Sequence, residues 1–302
     1  MKAVVLHAYG PAKNLVLEEV EAPKPGPGEV LVHIHAASVN PIDWKIRSGA
    51  MAKMFSIDFP AILGYDMAGT VREVGQGVTG FARGDRVFAR TQHTYAEFTV
   101  AKADELAKVP EGLELTTAAA IPVVATTGDQ LIRDQGGVRA GQSILLTGAL
   151  GSVGRFALFT AVELGARVIA GVRKKQIDEA LALGATAAID LSDEAEIARL
   201  GTLDAVCDAV GGPLAPKLLG HIKPGGTYAS VVGPPQGAAL HPTVQVKVFG
   251  SHADAKAMAH LAEAVRDGKL KLPIDLVLPL GEARDAHAKG EKGGIGKIVL
   301  TP

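Results

Sequence analysis

The chain has 302 residues, a length that suits about two domains, and its 36 glycines and 17 prolines are scattered among apolar runs rather than forming a repeat. A formal net charge of -1 argues against a polyanion as main partner, because binding a phosphate backbone needs a basic surface, so no nucleic-acid role is expected. The single cysteine, Cys207, excludes an internal disulfide framework and any multi-cysteine zinc or iron–sulfur centre.

The opening run from Met1 to His7 is too short for a signal peptide. The longest apolar stretches, such as Ala118 to Ala125, fall far below the roughly 20 residues that span a bilayer, so no membrane partner is expected. A reducing cytoplasmic setting follows as the expectation. The first hundred residues read as short strands and turns: Ala3 to Leu6, Leu15 to Leu17, a breaker cluster from Pro23 to Gly28, then Val30 to Ala37, Thr70 to Val74, Asp85 to Ala89 and Tyr95 to Val100. Such a series suggests a small, irregular β-rich domain.

The middle changes character. Ser143 to Thr147 is an apolar strand, and Val153, Ala157, Thr160, Ala161 and Leu164 recur at helical spacing after it. Arg167 to Ala170 is the next strand and Gln176 to Leu183 the next helix. Four more strands follow: Ala187 to Asp190, Leu203 to Val210, Thr227 to Val232 and Val244 to Phe249. Strands alternating with helices predict a parallel, doubly wound sheet. The tail has a helical pattern from Ala255 to Asp267 and strands at Leu276 to Leu278 and Lys297 to Leu300. The predicted architecture is α/β, with a doubly wound domain over 118–253 inserted into a β-rich domain made of 1–117 and 254–302.

Gly148, Gly151 and Gly154 lie between a strand and a helix. Gly151 lets a pyrophosphate approach the backbone, Gly154 lets helix and strand pack closely, and the helix N-terminus attracts the phosphate. Ala149 stands where the stricter G-x-G-x-x-G form has its first glycine. An NAD site places an acid about 20 residues further on to hold the ribose. Here the strand end is followed by Arg173, Lys174 and Lys175, which favours the 2′-phosphate of NADPH. Ser152 is no nucleophile elbow, since Leu150 replaces the first glycine of G-x-S-x-G. His33 and His35 share a strand face with no third ligand nearby in sequence, and Cys207 sits inside an apolar strand, so no metal is expected.

Together these residues resemble the medium-chain dehydrogenase/reductase superfamily, in its zinc-free, quinone oxidoreductase-like branch. The marks run from Ala37-Ser38-Val39-Asn40-Pro41-Ile42-Asp43-Trp44-Lys45 through Pro60 to Val71, Gly84 to Val87, Tyr95-Ala96-Glu97, the glycine turn and Gly296 to Leu300. Zinc-dependent relatives carry Cys at the position of Asn40 and His at that of Tyr65. The resemblance implies a GroES-like catalytic domain plus a Rossmann domain, with NADPH in the cleft between them. It implies reduction of quinones or of the activated double bond of α,β-unsaturated ketones and aldehydes, with the Asn-Pro-x-Asp-x-Lys form closest to the alkenal/enone reductases. Thr127 matches a family threonine near the nicotinamide. The expected cofactor contacts are Thr127, Gly148, Gly151, Ser152, Val153, Gly154, Arg173, Lys174 and Val232.

Enone reduction needs a donor aimed at the oxygen on which negative charge develops. Asn40, Lys45 and Tyr65 are the candidates; Asn40 reads equally as a turn-former before Pro41, Lys45 as a solvated lysine, and Tyr65 as a packing residue with its hydroxyl at the cleft. Trp44 is expected near the cleft. Three other readings stay open: a quinone reductase proper, an enoyl-thioester reductase, and an NADPH-binding structural or sensor protein without turnover. No basic cluster for a coenzyme A phosphate stands out in sequence away from Arg173. Val244, Val246 and Val248 alternate with Thr243, Gln245 and Lys247 as on a half-covered strand. The resemblance implies that this strand pairs across a two-fold axis, the commonest assembly, so a homodimer is expected, with an edge guarded by Lys247 against pairing as the alternative.

Overall fold

The computed structural model describes residues 1–302. In chain order the strands are β1 (Lys2–Leu6), β2 (Leu15–Glu19), β3 (Glu29–Val39), β4 (Ala61–Ile62), β5 (Asp66–Val74), β6 (Arg86–Arg90), β7 (Phe98–Lys102), β8 (Leu106–Lys108), β9 (Ser143–Thr147), β10 (Arg167–Val172), β11 (Ala187–Asp190), β12 (Leu203–Asp208), β13 (Ile222–Ser230), β14 (Gln245–Val248), β15 (Ile274–Pro279) and β16 (Lys297–Thr301). The helices are α1 (Pro41–Arg47), α2 (Leu115–Ala119), α3 (Pro122–Gln130), α4 (Ser152–Glu163), α5 (Ile177–Ala182), α6 (Glu194–Ala198), α7 (Ala215–Leu219), α8 (Ala255–Arg266) and α9 (Ala283–Lys292). The chain divides into two compact units, Met1–Val123 with Ala253–Pro302, and Val124–His252.

The first unit is the β-rich one. Its larger sheet runs β15-β16-β3-β5-β6-β8, with β7 also paired to β3, and a smaller sheet runs β2-β1-β4. β3 is long because Val30, Val32, Ile34, Ala37 and Val39 all reach one core, shared with Leu6, Met67, Tyr95 and Leu300. Each fully buried Val, Leu or Ile there contributes about 1.5–3 kcal/mol. Tyr95 and Ala96 were expected to open the strand that follows. They bond to β1 instead, Val4 N–H donating to the Tyr95 carbonyl and Ala3 bridging Ala96, so β7 begins only at Phe98. Six helices escaped the sequence reading, and three of them, α1, α2 and α9, lie in this unit. α1 has an N-terminal signal, Asn40 then Pro41 with Asp43 in the first turn. α9 is short and rich in charged residues, and it buries Ala283, Ala286 and His287.

The second unit carries the expected Rossmann sheet, in the order β11-β10-β9-β12-β13-β14, with every neighbouring pair parallel. Counted from β9, this is the order 3-2-1-4-5-6 of a dinucleotide-binding sheet, and the order reverses between β9 and β12. Both faces are covered, as a parallel sheet requires. Ile144 and Leu146 of β9 join one core, and Leu145 joins the other. Cys207 lies in the first of these cores, fully buried, and burial, with Asp208 beside it, pushes its thiol up to about 12, so it packs as a neutral, small apolar group. β12 stops at Asp208 rather than Val210, because the Val210 and Gly211 N–H groups turn to the Asp208 carboxylate.

Candidate active site

The glycine turn follows β9 at the point where the strand order reverses. Gly148 has φ +63° and its N–H donates to the carbonyl of Gly171 at 2.9 Å, while Gly151 N–H donates back to Gly148 at 2.8 Å. A Cβ on Gly154 would stand 2.0 Å from the Gly148 oxygen, so the turn and α4 close together only without a side chain there. At Gly151 the nearest atom to a Cβ is the same oxygen at 3.2 Å. The backbone packing demands a glycine less strongly at this position, which faces the helix start. No side chain caps α4. The N–H groups of Ser152 and Val153 therefore offer an anion two donors and the positive end of a helix dipole. These residues fit a dinucleotide diphosphate.

Arg173 and Lys174 are exposed just past β10, two and three residues beyond Gly171, which takes the Gly148 N–H. Asp190, at the end of the neighbouring β11, was not anticipated beside them. Its carboxyl is held below the usual range chiefly by hydrogen bonds from Ser192, with the Lys174 backbone N–H and charge adding to this. Lys174 thus has an acid for a neighbour, an arrangement that strand pairing creates (Val172 lies opposite Asp190). Thr127 is buried on α3 with its hydroxyl 2.6 Å from that of Ser251. Val232 is 45% exposed and lines a cavity of about 420 Å³ with Gly211, Pro213 and Gly233.

Asp208 braces this end of the sheet, and sequence reasoning missed it. Its carboxylate accepts from Thr147 Oγ1 on β9 at 2.6 Å, and from Tyr228 Oη and Ser230 Oγ on β13 at 2.8 and 3.0 Å. The signal was available: an acid closing an apolar strand must find donors if it is buried.

In the first unit the three donor candidates separate. Tyr65 lines two cavities, of about 440 Å³ and 580 Å³. Burial, followed by the charge of Asp43, raises its phenol, which keeps the O–H a donor at neutral pH. Asn40 is buried. Its Nδ2 donates to Asp66 at 2.8 Å and its Oδ1 accepts from Lys297 Nζ at 2.8 Å, so its amide orders the interior rather than facing a ligand. Lys45 is exposed on α1 and lines neither cavity. Trp44, expected near a cleft, packs beside His287 and Gly290 of α9.

Two further residues border both cavities, Gln92 and His93. His93 has φ +61°, a left-handed conformation found at no other non-glycine residue of the chain. Burial lowers its imidazole, leaving a neutral ring with one N–H to give. The larger cavity also gathers Lys24, Arg90 and Lys102, with Glu29 and Glu105 among them. The sequence showed no basic cluster here because these residues lie on separate segments that the sheet brings together. His33 and His35 do share a face, ring centroids 5.0 Å apart. No group of three or more His, Cys, Asp or Glu side chains stands where it could hold a metal ion.

Behind Asn40 lies a second buried chain. Asp43 Oδ2 accepts from Asn40 N–H at 2.7 Å and from Tyr95 Oη at 2.8 Å, and His287 Nε2 lies 3.1 Å from that hydroxyl. Asp43 Oδ1 has no partner. Burial pushes the Asp43 carboxyl up to about 7 and the His287 imidazole down to about 3. Asp43 therefore keeps its proton in the folded state over a range where the unfolded chain has lost it. Its contribution is fully present below about pH 4 and is lost as pH rises through 7. His287 does the opposite: its contribution is present above about pH 6.5 and is lost as pH falls towards 3. The two slopes oppose each other between about pH 4 and 6.5. Asp43→Asn removes the first. The stability of this variant relative to wild type is expected to rise steadily from pH 4 to 7, by up to about 1.4 kcal/mol per pH unit, and then level off. Urea midpoints at each pH test this; a difference that stays constant across the range would show Asp43 ionised throughout.

Comparison with known proteins agrees with this geometry. Residues 26–111 match the family described as "Alcohol dehydrogenase GroES-like domain" and residues 183–300 the one described as "Zinc-binding dehydrogenase". The chain is 30% identical, over its whole length and 98% of the relative's, to a chloroplast envelope quinone oxidoreductase homolog of Arabidopsis thaliana. The chain belongs to the medium-chain dehydrogenase/reductase superfamily. Its place is the quinone oxidoreductase-like branch of that superfamily, and it is an NAD(P)H-dependent oxidoreductase. It is also 30% identical to an NADPH-dependent alkenal/one oxidoreductase of the same plant, all of this chain matching 80% of that one. The solved structure of a quinone oxidoreductase from Coxiella burnetii superposes with a TM-score of 0.90 at 30% identity, covering 100% of this chain and 99% of the other. No helix is long and apolar enough to cross a membrane.

Proposed function

We propose that this protein reduces the electron-poor double bond of an α,β-unsaturated ketone or aldehyde, or a quinone ring, with NADPH as reductant. Val124–His252 is the NADPH-binding unit, and Met1–Val123 with Ala253–Pro302 holds the acceptor. The observation that carries the reading is the uncapped α4 behind a glycine turn at the reversal of strand order, with Arg173 beside it. When bound, NADPH supplies a hydride. Ser152 and Val153 N–H groups hold its diphosphate, and Arg173 holds its 2′-phosphate, a fork-shaped donor for a tetrahedral anion. Lys174, which shares its charge with Asp190, contributes less.

On the acceptor side, the Tyr65 phenol donates a hydrogen bond to the carbonyl or quinone oxygen as negative charge gathers there. Asn40 acts at one remove, ordering the residues behind Tyr65. Tyr65→Phe is expected to lower kcat about 10²–10³-fold, the usual cost of losing one oxyanion donor, with an unchanged melting temperature. A variant as fast as wild type would remove Tyr65 from the mechanism. The class of reaction is tested by loss of NADPH absorbance with a simple enone that cannot redox-cycle, with NADH as the comparison. Turnover with NADPH and little with NADH supports both parts of the reading. Turnover only with quinones moves the acceptor, and no turnover with either sinks the enzymatic reading. A thioester acceptor has one observation in its favour, the Lys24, Arg90 and Lys102 side chains around the larger cavity; faster turnover of an enoyl-coenzyme A than of the free enone is its test.

A further inference from the structure

We propose that Arg155 is a positioning residue that sets the preference of the second unit for NADPH over NADH, an inference that rests on the NADPH reading above. Arg155 lies in the first turn of α4 and is 7% exposed. A cation is poorly placed there, because the positive end of the helix dipole opposes it. One of its nitrogens, Nη1, is buried without a partner. An apolar side chain of the same size would fill the space at less cost. What the guanidinium gains is a link. Its Nε donates to the Leu150 carbonyl at 3.1 Å, inside the glycine turn, and its Nη2 donates to Glu179 Oε1 at 2.6 Å.

Glu179 belongs to α5, and α5 follows directly on the turn that carries Arg173, Lys174 and Lys175. One buried fork therefore ties the diphosphate site to the segment bearing the 2′-phosphate site. α5 is only six residues long, so little of its own structure fixes where that segment sits. NADH lacks the 2′-phosphate and so offers the basic segment no anion to hold. NADPH needs the turn and the basic segment at a fixed separation, since a cation misplaced by about an ångström loses much of its contact with the phosphate. Loosening the tie thus costs affinity for one cofactor more than for the other, which a purely structural role would not produce.

The test is calorimetric titration of the intact protein with NADPH and with NADH, in wild type, Arg155→Met, Arg155→Lys and Glu179→Ala. Glu179 is half exposed, so its replacement leaves the fold in place even if Arg155→Met does not fold. The expected result is about a tenfold loss of NADPH affinity in Glu179→Ala, the scale of one charge-assisted contact, with NADH affinity within about twofold of wild type. Arg155→Lys, which can reach only one of the two partners, recovers part of the loss. Equal weakening of both cofactors, or a wild-type preference that survives in both Arg155→Met and Glu179→Ala, overturns the inference while leaving the NADPH reading intact. Equal binding of the two cofactors by wild type sinks the NADPH reading itself, and this inference with it.

Discussion

Asp66→Ala is expected to destabilise the protein by about 3–5 kcal/mol, the scale of breaking a buried charged network by removing one partner. Asp66 is fully buried at the head of β5. Its carboxylate accepts from Ser38 Oγ at 2.6 Å, Asn40 Nδ2 at 2.8 Å and Val123 N–H at 2.7 Å. Lys297 Nζ stands 3.5 Å away, and it too is buried. Burial already lowers the Lys297 ammonium, and Asp66 is the first charge acting to hold it up. Without Asp66 that amine must lose its proton or remain charged in an apolar interior, and three donors lose their acceptor. Because Asn40 is one of these donors, activity is expected to fall as well. Urea unfolding gives the magnitude. The double variant Asp66→Ala with Lys297→Met should recover part of the loss, since it removes the stranded charge. A single variant within about 1 kcal/mol of wild type would show that the network is not what supports this unit.

Gly154→Ala and Gly151→Ala are expected to part company, and the difference isolates the cofactor site from packing. A methyl group added to Gly154 would press on backbone, 2.0 Å from the Gly148 oxygen and 2.8 Å from the carbonyl carbon of Ala149. Neither atom can swing aside, so the turn must move, at about 1–3 kcal/mol or more. Stability and NADPH affinity both fall. At Gly151 φ is -71°, which alanine adopts freely, and the contact with the Gly148 oxygen is only mildly tight at 3.2 Å. Stability there is expected to change little, while NADPH affinity falls at least about tenfold, because on the NADPH reading the diphosphate lies against this residue, next to the first N–H groups of α4. Melting temperature and NADPH titration read the two effects separately. NADPH binding unchanged in Gly151→Ala would remove the turn from the diphosphate site.

Much of the second unit was legible in the sequence because its signals are local. The run from Ser143 to Thr147, the glycine triplet and the helical spacing that follows each lie within a dozen residues, and period and turn chemistry act at that range. The cations after β10 were equally plain. Asp190 was not, although it is a neighbour of Lys174, because it comes from the next strand and only parallel pairing brings it there. The same holds for Asp208, whose donors come from β9 and β13.

The first unit was harder to read. Its motif from Asn40 to Lys45 carried the family resemblance but left open which of its side chains are buried. A short helix turns them to different sides: Asn40 and Asp43 inward, Lys45 to solvent.

The sequence by itself determined the fold class, the position of the glycine turn and the cationic segment beside it, because hydrophobic period, glycine placement and charge are properties of contiguous residues, and its short motifs carried the resemblance to the family. The tertiary structure alone decided which polar groups are buried with which. Lys297 meets Asn40 across 257 positions, His287 meets Tyr95 across 192, and Arg155 joins the glycine turn to α5. Such partnerships arise because a buried polar group must find its partner wherever the packed core presents one, and no local pattern records where that will be.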